Sequence, residues 1–307
     1  MRCLVSGLGS IGFKYDLNLR NKIQTHSKSI FLNKNFTLVG GVDPDIKNGK
    51  VFHRIYKAPF FDNLQNGIKK TKPELVVVSS PTDTHLNSIK KIVLNKSVKI
   101  IICEKPLGSN LSQSKKIVQL CKRNHIKLFV NYMRISEPSS HSIKKYLNKS
   151  DEKVICDIFY SKGFYHTGSH FFNLAEMWFG KYVGLIKLIK KNRINNNDYN
   201  LDAILDFKNS EVRFNSRKIS ISKNYIIINF KNKKIKYLLG GKKIIIEKNN
   251  KKTIKKEIIL KNYMENYQKN FYTQLFNFLI KKNNYICTGQ QALNTLININ
   301  HILTNKK

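Results

Sequence analysis

Directly after the apolar run at residues 3–6 the chain reads Gly7-Leu8-Gly9-Ser10-Ile11-Gly12. That spacing dictates a strand, a tight turn and a helix start. The first glycine permits the turn, the second lets backbone approach a bound group, and the third lets the helix pack closely on the strand. Amide groups at such a helix start attract phosphate. A second apolar run at 36–42 ends in Asp43, where a carboxylate can hold ribose hydroxyls and repel a 2'-phosphate. The pattern predicts a dinucleotide site lined by Gly7, Gly9, Ser10, Ile11, Gly12 and Asp43, with NAD as the cofactor and NADP as the alternative.

Further apolar runs at 75–79, 99–103 and 127–132, with a weaker one near 58–60, alternate with amphipathic stretches at 62–70, 84–95 and 111–124. A parallel sheet covered by helices on both faces has this signature. Thr84 and Ser109 or Asn110 are the candidate helix caps. Between Gly12 and Phe36 the chain is longer than one helix needs, which predicts an inserted loop containing Tyr15-Asp16 and Thr25-His26-Ser27, either bordering the cofactor or plain surface.

After residue 132 the pattern changes. A helix at 138–149, a strand at 153–160 and a helix starting near His170 precede β-rich segments at 184–191, 200–207, 211–216, 225–230, 234–239, 243–247 and 253–260. Polar or Gly-Gly turns separate them, as in an antiparallel meander. Helices at 271–280 and 292–303 close the chain, the second starting at Thr288 or Gly289. With 307 residues, two domains are expected. The predicted fold is α/β: an N-terminal Rossmann domain, a doubly wound parallel sheet over 1–125, and a C-terminal α+β domain over 126–307. The latter carries a mostly antiparallel open sheet for substrate binding and oligomerisation.

Lysine and arginine exceed acidic residues 56 to 19, for a formal charge of +37. Taken alone this points to nucleic acid or an acidic partner. Lysine, asparagine and isoleucine are abundant throughout, however, as in a genome rich in adenine and thymine. The densest stretches, 231–236 and 248–256, fall at expected strand edges and hairpin turns, so solvated surface is the favoured reading and no specific nucleic acid is implied. The five cysteines are odd in number and mostly inside apolar runs, which suggests buried thiols in a reducing compartment. With neither a signal-peptide core nor a bilayer-long apolar run, a cytoplasmic protein without membrane insertion is expected.

Two more segments follow strands at the edge where open parallel sheets place ligands. They are Ser80-Pro81-Thr82-Asp83-Thr84-His85 and Cys103-Glu104-Lys105-Pro106. In this order after the glycine turn they resemble the glucose-fructose oxidoreductase, inositol dehydrogenase and rhizopine catabolism family, Gfo/Idh/MocA. Asn131-Tyr132-Met133-Arg134, Gly168-Ser169-His170-Phe171-Phe172-Asn173 and Thr288-Gly289-Gln290-Gln291-Ala292 extend the likeness over nearly the whole chain. The resemblance is strongest to the branch linked to surface-polysaccharide sugar biosynthesis.

The resemblance implies hydride transfer between a nicotinamide and a sugar or nucleotide-sugar carbinol carbon. Lys105 would polarise the reacting oxygen and His170 would exchange its proton. Ser80, Pro81, Thr82, His85 and Glu104 would line the cofactor, and Tyr132, Arg134, His166 and Asn173 would join Lys105 and His170 around the substrate. Where many members carry aspartates this chain has His166 and Asn173, so its proton relay differs. His166 and His170 with Glu176 could also be read as metal ligands, but no metal is expected. The open sheet suggests a homodimer or homotetramer. A non-catalytic dinucleotide-binding sensor and a basic nucleic-acid-binding protein are the competing readings.

Overall fold

Every residue of Leu75–Val78 and Ile100–Cys103 is buried, which requires strands covered on both faces. They are β4 and β5 of a sheet that also contains β1 (Arg2–Ser6), β2 (Thr37–Val42), β3 (Phe60–Phe61) and β6 (Lys127–Val130). All six pair in parallel, in the order β3-β2-β1-β4-β5-β6. The direction of winding reverses between β1 and β4, so the crevice for a ligand opens at their carboxyl ends. This is the doubly wound sheet expected from the sequence, seen in a computed structural model that describes residues 1–148, 153–195, 198–250 and 253–304.

The connecting helices are α1 (His26–Phe31), α2 (Ile46–Tyr56), α3 (Leu64–Thr71), α4 (His85–Ile92) and α5 (Leu111–Arg123). Asn110 caps α5 by accepting the N–H of Gln113 at 2.9 Å. Thr84 does not cap α4 and instead donates to the Pro81 carbonyl at 2.7 Å. Helix α2 escapes a periodicity reading because its first turns are polar and Gly49 sits in its interior. Tertiary packing fixes that glycine: a Cβ there would fall 2.0 Å from the Phe60 ring.

The second sheet runs β14-β13-β12-β11-β7-β10-β9-β8. Its strands are β7 (Val154–Tyr160), β8 (Tyr182–Asn195), β9 (Asp198–Phe207), β10 (Ser210–Ser216), β11 (Tyr225–Phe230), β12 (Lys233–Leu238), β13 (Lys243–Asn250) and β14 (Thr253–Ile259). Neighbours are antiparallel except β7 and β10, which are parallel. Burial alternates along β7 and along most of β9, so one face is packed and the other open. The packed face receives α6 (Pro138–Leu147) and α7 (Ser169–Phe179). Phe172 of α7 lies against Phe207 and Phe214, and Trp178 against Tyr237. Lys231 forms the β11–β12 turn in left-handed backbone. Residues 251 and 252 of the second lysine-rich stretch, and the expected helix end at Lys149, lie outside the described residues.

The chain then returns to the first sheet. Helix α8 (Tyr267–Leu279) buries Phe271, Tyr272 and Leu275 in one core with Val5, Val77, Ile102 and Phe129. The N–H of Val130 in β6 donates to the Cys287 carbonyl at 2.9 Å. A capping box starts α9 (Gly289–Thr304): Thr288 Oγ1 accepts the Gln291 N–H at 3.2 Å, and Gln291 Oε1 accepts the Thr288 N–H at 2.9 Å. The two compact units are therefore Met1–Ser136 with Glu265–Leu293, and Glu137–Met264 with Asn294–Lys307. A division at 125/126 cuts across the first of them, because β6 and α8 complete its sheet and core. All five cysteines are free and buried. Among the described residues no helix is long and apolar enough to cross a membrane.

Candidate active site

The glycine turn is held from both sides of the sheet. Gly7 N–H donates to the Val42 carbonyl at 2.8 Å, and Ser79 Oγ donates to the Gly7 carbonyl at 2.9 Å. A Cβ on Gly7 would lie 2.4 Å from Ser80 N, and one on Gly12 would lie 1.9 Å from the Gly7 carbonyl oxygen. Gly9 has nothing within 4 Å of that position. Two glycines thus pack the turn, while the middle one faces open space that a pyrophosphate can occupy. Exposed Ser10, half-buried Ile11 and Gly12 lie in the short π-helical turn Ser10–Lys14 rather than a full helix.

Asp43 is buried, with Oδ2 accepting the Leu8 N–H at 2.7 Å and Oδ1 accepting the Asp45 N–H at 2.9 Å. A carboxylate has further lone pairs to offer ribose hydroxyls. The open cradle at Gly9 and this fixed carboxylate fit a bound NAD.

The loop after β4 is braced from below. Ser80 Oγ and Thr84 Oγ1 are 2.6 Å apart, and Pro81 and Thr82 lead the short turn at the rim. His85 is buried, with Nε2 2.9 Å from the Ser80 carbonyl and Nδ1 3.2 Å from the Leu107 carbonyl. It therefore staples the two loops together. Burial holds this imidazole below its ordinary pKa although the surrounding carbonyls favour the charged form.

The loop after β5 carries Glu104 and half-buried Lys105, whose bond to Pro106 is cis. Glu104 Oε1 accepts from Asn131 Nδ2 at 2.6 Å and from His26 Nε2 at 2.9 Å, and Oε2 accepts the Lys105 N–H at 3.3 Å. Burial raises the pKa of this carboxyl, but His26, Asn131 and Lys105 outweigh it and the net direction is down. Glu104 is thus an ionised group fastened beneath Lys105. Tyr132 and Arg134, in the segment after β6, are both buried. Arg134 is near enough to Tyr267 to lower that phenol's pKa, though burial dominates and raises it.

His26, Asn131, Gln268 and Tyr272 complete this cluster and were not singled out in the sequence as site residues. His26 comes from the inserted loop, where Asp16 accepts the Gln24 and Thr25 N–H groups at 2.7 and 2.9 Å and Thr25 caps α1. A capping threonine ahead of a histidine, with an aspartate nine residues before the threonine, is the only local signal of this arrangement.

In the second unit His170 is buried in the first turn of α7, whereas His166 is exposed in the preceding π-helical turn Gly163–Gly168. Gly168 is right-handed helical, with φ of −57°, so the two turns run on into each other. Asp198 fixes the π turn: Oδ1 accepts the Tyr165 N–H at 2.7 Å and Oδ2 accepts the His166 N–H at 3.0 Å. A Cβ on Gly163, at φ +84°, would strike Asp198 Oδ2.

Asn173 is buried and donates to Thr295 Oγ1 at 3.2 Å. Thr295 in turn donates to Glu176 Oε2 at 2.5 Å, and Asn298 Nδ2 donates to Glu176 Oε1 at 3.0 Å. Glu176 therefore belongs to an α7–α9 brace. Burial pushes its carboxyl up to about 7 against the pull of these two donors.

A Rossmann sheet with a packed glycine turn, an acidic end to β2 and an anchored lysine loop after β5 defines a dinucleotide-dependent oxidoreductase domain. Residues 1–132 match the model of the Gfo/Idh/MocA oxidoreductase family, with its NAD-binding Rossmann fold. Solved structures share the fold over the full length. The dehydrogenase MviM from Clostridium difficile is 18% identical, with 99% of this chain and 98% of that one covered and a TM-score of 0.78. UDP-N-acetylglucosamine 3-dehydrogenase GnnA from Acidithiobacillus ferrooxidans is 11% identical, with coverages of 98% and 96% and a TM-score of 0.75. The WlbA dehydrogenase from Bordetella pertussis, in complex with NADH and UDP-GlcNAcA, is 14% identical, with coverages of 99% and 94% and a TM-score of 0.75.

Proposed function

We propose that this chain is an NAD-dependent dehydrogenase or reductase acting on a CH–OH group of a sugar or nucleotide-linked sugar in polysaccharide or amino-sugar biosynthesis. The observation that carries the reading is the anchored Glu104-Lys105-Pro106 loop at the carboxyl edge of an NAD-binding Rossmann sheet. The sugar class is favoured by GnnA and WlbA, whose descriptions name UDP-N-acetylglucosamine and UDP-GlcNAcA.

When bound, NAD supplies the nicotinamide carbon that accepts or returns a hydride. The glycine turn receives the pyrophosphate, Asp43 the adenosine ribose, and Ser80, Pro81 and Thr82 border the nicotinamide side. Lys105 donates a hydrogen bond to the reacting oxygen and stabilises negative charge on it. His170 takes the hydroxyl proton as the carbinol is oxidised and returns it in the reverse direction. Tyr132, Arg134, His166 and Asn173 orient the sugar, with the Asn173 amide held by Thr295. An aspartate could relay a proton onward, and this asparagine orients without carrying one.

The reading includes a cytoplasmic homo-oligomer, for which exposed Ile155, Ile186 and Ile189 on the second sheet speak. The testing experiment incubates the purified chain with NAD+ or NADH and a panel of sugars, UDP-sugars and their keto forms. Coupled change in nicotinamide absorbance and a two-hydrogen mass change in one sugar are expected. Intact NADH binding with no turnover over the panel would favour a dinucleotide sensor.

A further inference from the structure

We propose that His26, delivered by the inserted loop between the glycine turn and α1, is a positioning residue for Lys105 that acts through the Glu104 carboxylate. The proposal rests on the reading of Lys105 as the group that meets the substrate oxygen. His26 is wholly buried and bonded at both ring nitrogens: Nε2 lies 2.9 Å from Glu104 Oε1, and Nδ1 lies 3.0 Å from the Tyr272 hydroxyl. A carboxylate only accepts, so the Nε2 hydrogen points to Glu104, with Gln268 Nε2 3.1 Å from the same ring nitrogen. Burial holds the Tyr272 phenol well above its ordinary pKa, which keeps its hydrogen in place.

The neighbour of His26 binds the other half of the site. Ser27 Oγ donates to the Gly12 carbonyl at 2.7 Å. Two consecutive residues of one helical turn therefore join the glycine turn to the loop that carries Lys105. The loop feeding them is fixed in turn, by Asp16 at Gln24 and Thr25 and by Asn266 Oδ1, which accepts the Ile23 N–H at 2.8 Å.

Burial without a donor would drive the Glu104 carboxyl towards its neutral form, and His26 is the foremost group opposing that. Glu104 Oε2 accepts the Lys105 N–H at 3.3 Å and the Lys105 charge lowers the Glu104 pKa, so the same attraction draws the ammonium towards the carboxylate. The other titratable groups facing this carboxylate are Tyr267 and Tyr272 of α8, His85 of α4 and Cys103 of β5. Burial raises the pKa of both phenols and of the thiol and lowers that of the imidazole, so all four are held uncharged. His26, Asn131 and Lys105 are thus the side chains that support the Glu104 charge.

The test is trace acetylation of the full chain with acetic anhydride across pH, with the Lys105 peptide quantified by mass spectrometry. His26→Leu should raise Lys105 labelling at neutral pH by about tenfold, the signature of a one-unit fall in its pKa. His26→Gln places an N–H donor where Nε2 stood and should keep the wild-type profile. Should His26→Leu fail to fold, Glu104→Gln must give the same rise. An unchanged Lys105 profile in the folded His26→Leu or Glu104→Gln protein overturns the proposal, as does a His26→Gln profile matching His26→Leu. The labelling needs no turnover, so a chain inactive on every sugar would sink the dehydrogenase reading while leaving this result standing.

Discussion

Asp43 Oδ2 accepts the backbone N–H of Leu8 at 2.7 Å. The acidic residue that ends β2 is thereby locked to the turn that β1 feeds. Its second oxygen is oriented by the Asp45 N–H and by Asn48 Nδ2 at 3.4 Å. The carboxylate is pre-set before any ribose arrives, so its contribution to binding carries little ordering cost.

Asp43→Asn keeps an acceptor for Leu8 while removing the charge. NADH affinity should fall by about tenfold, roughly 1.4 kcal/mol, and the preference for NADH over NADPH should shrink. Fluorescence titration with both nucleotides measures this. An unaltered ratio of the two affinities would show that Asp43 does not discriminate at the 2'-position.

Gly9 and Gly12 should separate binding from folding. Gly12→Ala forces a methyl against the Gly7 carbonyl, 1.9 Å from the built position, and should cost about 2–4 kcal/mol of stability. Gly9→Ala meets no atom within 4 Å and should leave stability within about 0.5 kcal/mol while weakening NADH binding severely. Urea denaturation paired with NADH titration reads both. A Gly9→Ala protein that binds NADH normally would contradict the cradle.

Glu176 makes stability fall as pH rises. Its carboxyl titrates at about 7 in the fold against an ordinary value of 4.5. Between those values the unfolded chain has lost a proton that the folded chain still holds. Stability should therefore drop through this window, by up to about 3 kcal/mol, and stay low above it. Glu176→Gln keeps an acceptor oxygen for one of the two donors, Thr295 or Asn298, and should remove that dependence, leaving stability nearly level between pH 5 and pH 8. Urea denaturation of both proteins at pH 5 and pH 8 tests it, and parallel pH profiles would contradict the assignment.

The parallel sheet was legible because β4 and β5 are short, wholly apolar runs bounded by turn residues, and the second sheet because its strands alternate at period two. Helix α2 was not, since Gly49 weakens the helical pattern and only the Phe60 ring explains it. Gly7, Gly9, Gly12 and Asp43 could be picked out because the glycine spacing and an acidic residue at the end of an apolar run are local patterns, although their contacts with Val42, Ser79 and Leu8 arise only in the fold. The Glu104 cluster could not. It gathers His26 of α1, Asn131 after β6, and Gln268 and Tyr272 of α8, with His26 and Gln268 separated by 242 positions, and a lone histidine heading a short helix has no periodicity to betray its burial. The Asn173-Thr295-Glu176 chain was hidden for the same reason. It joins helices that are 119 residues apart at Glu176 and Thr295.

Lys105 provides the most direct test of the central claim. Steady-state turnover of a sugar substrate and NADH affinity are to be measured side by side for the wild type and Lys105→Ala. A group that meets the reacting oxygen, and not the cofactor, should lower turnover by at least about a hundredfold while NADH affinity changes less than about threefold. Equal losses in both, or turnover that survives the substitution, would contradict the account.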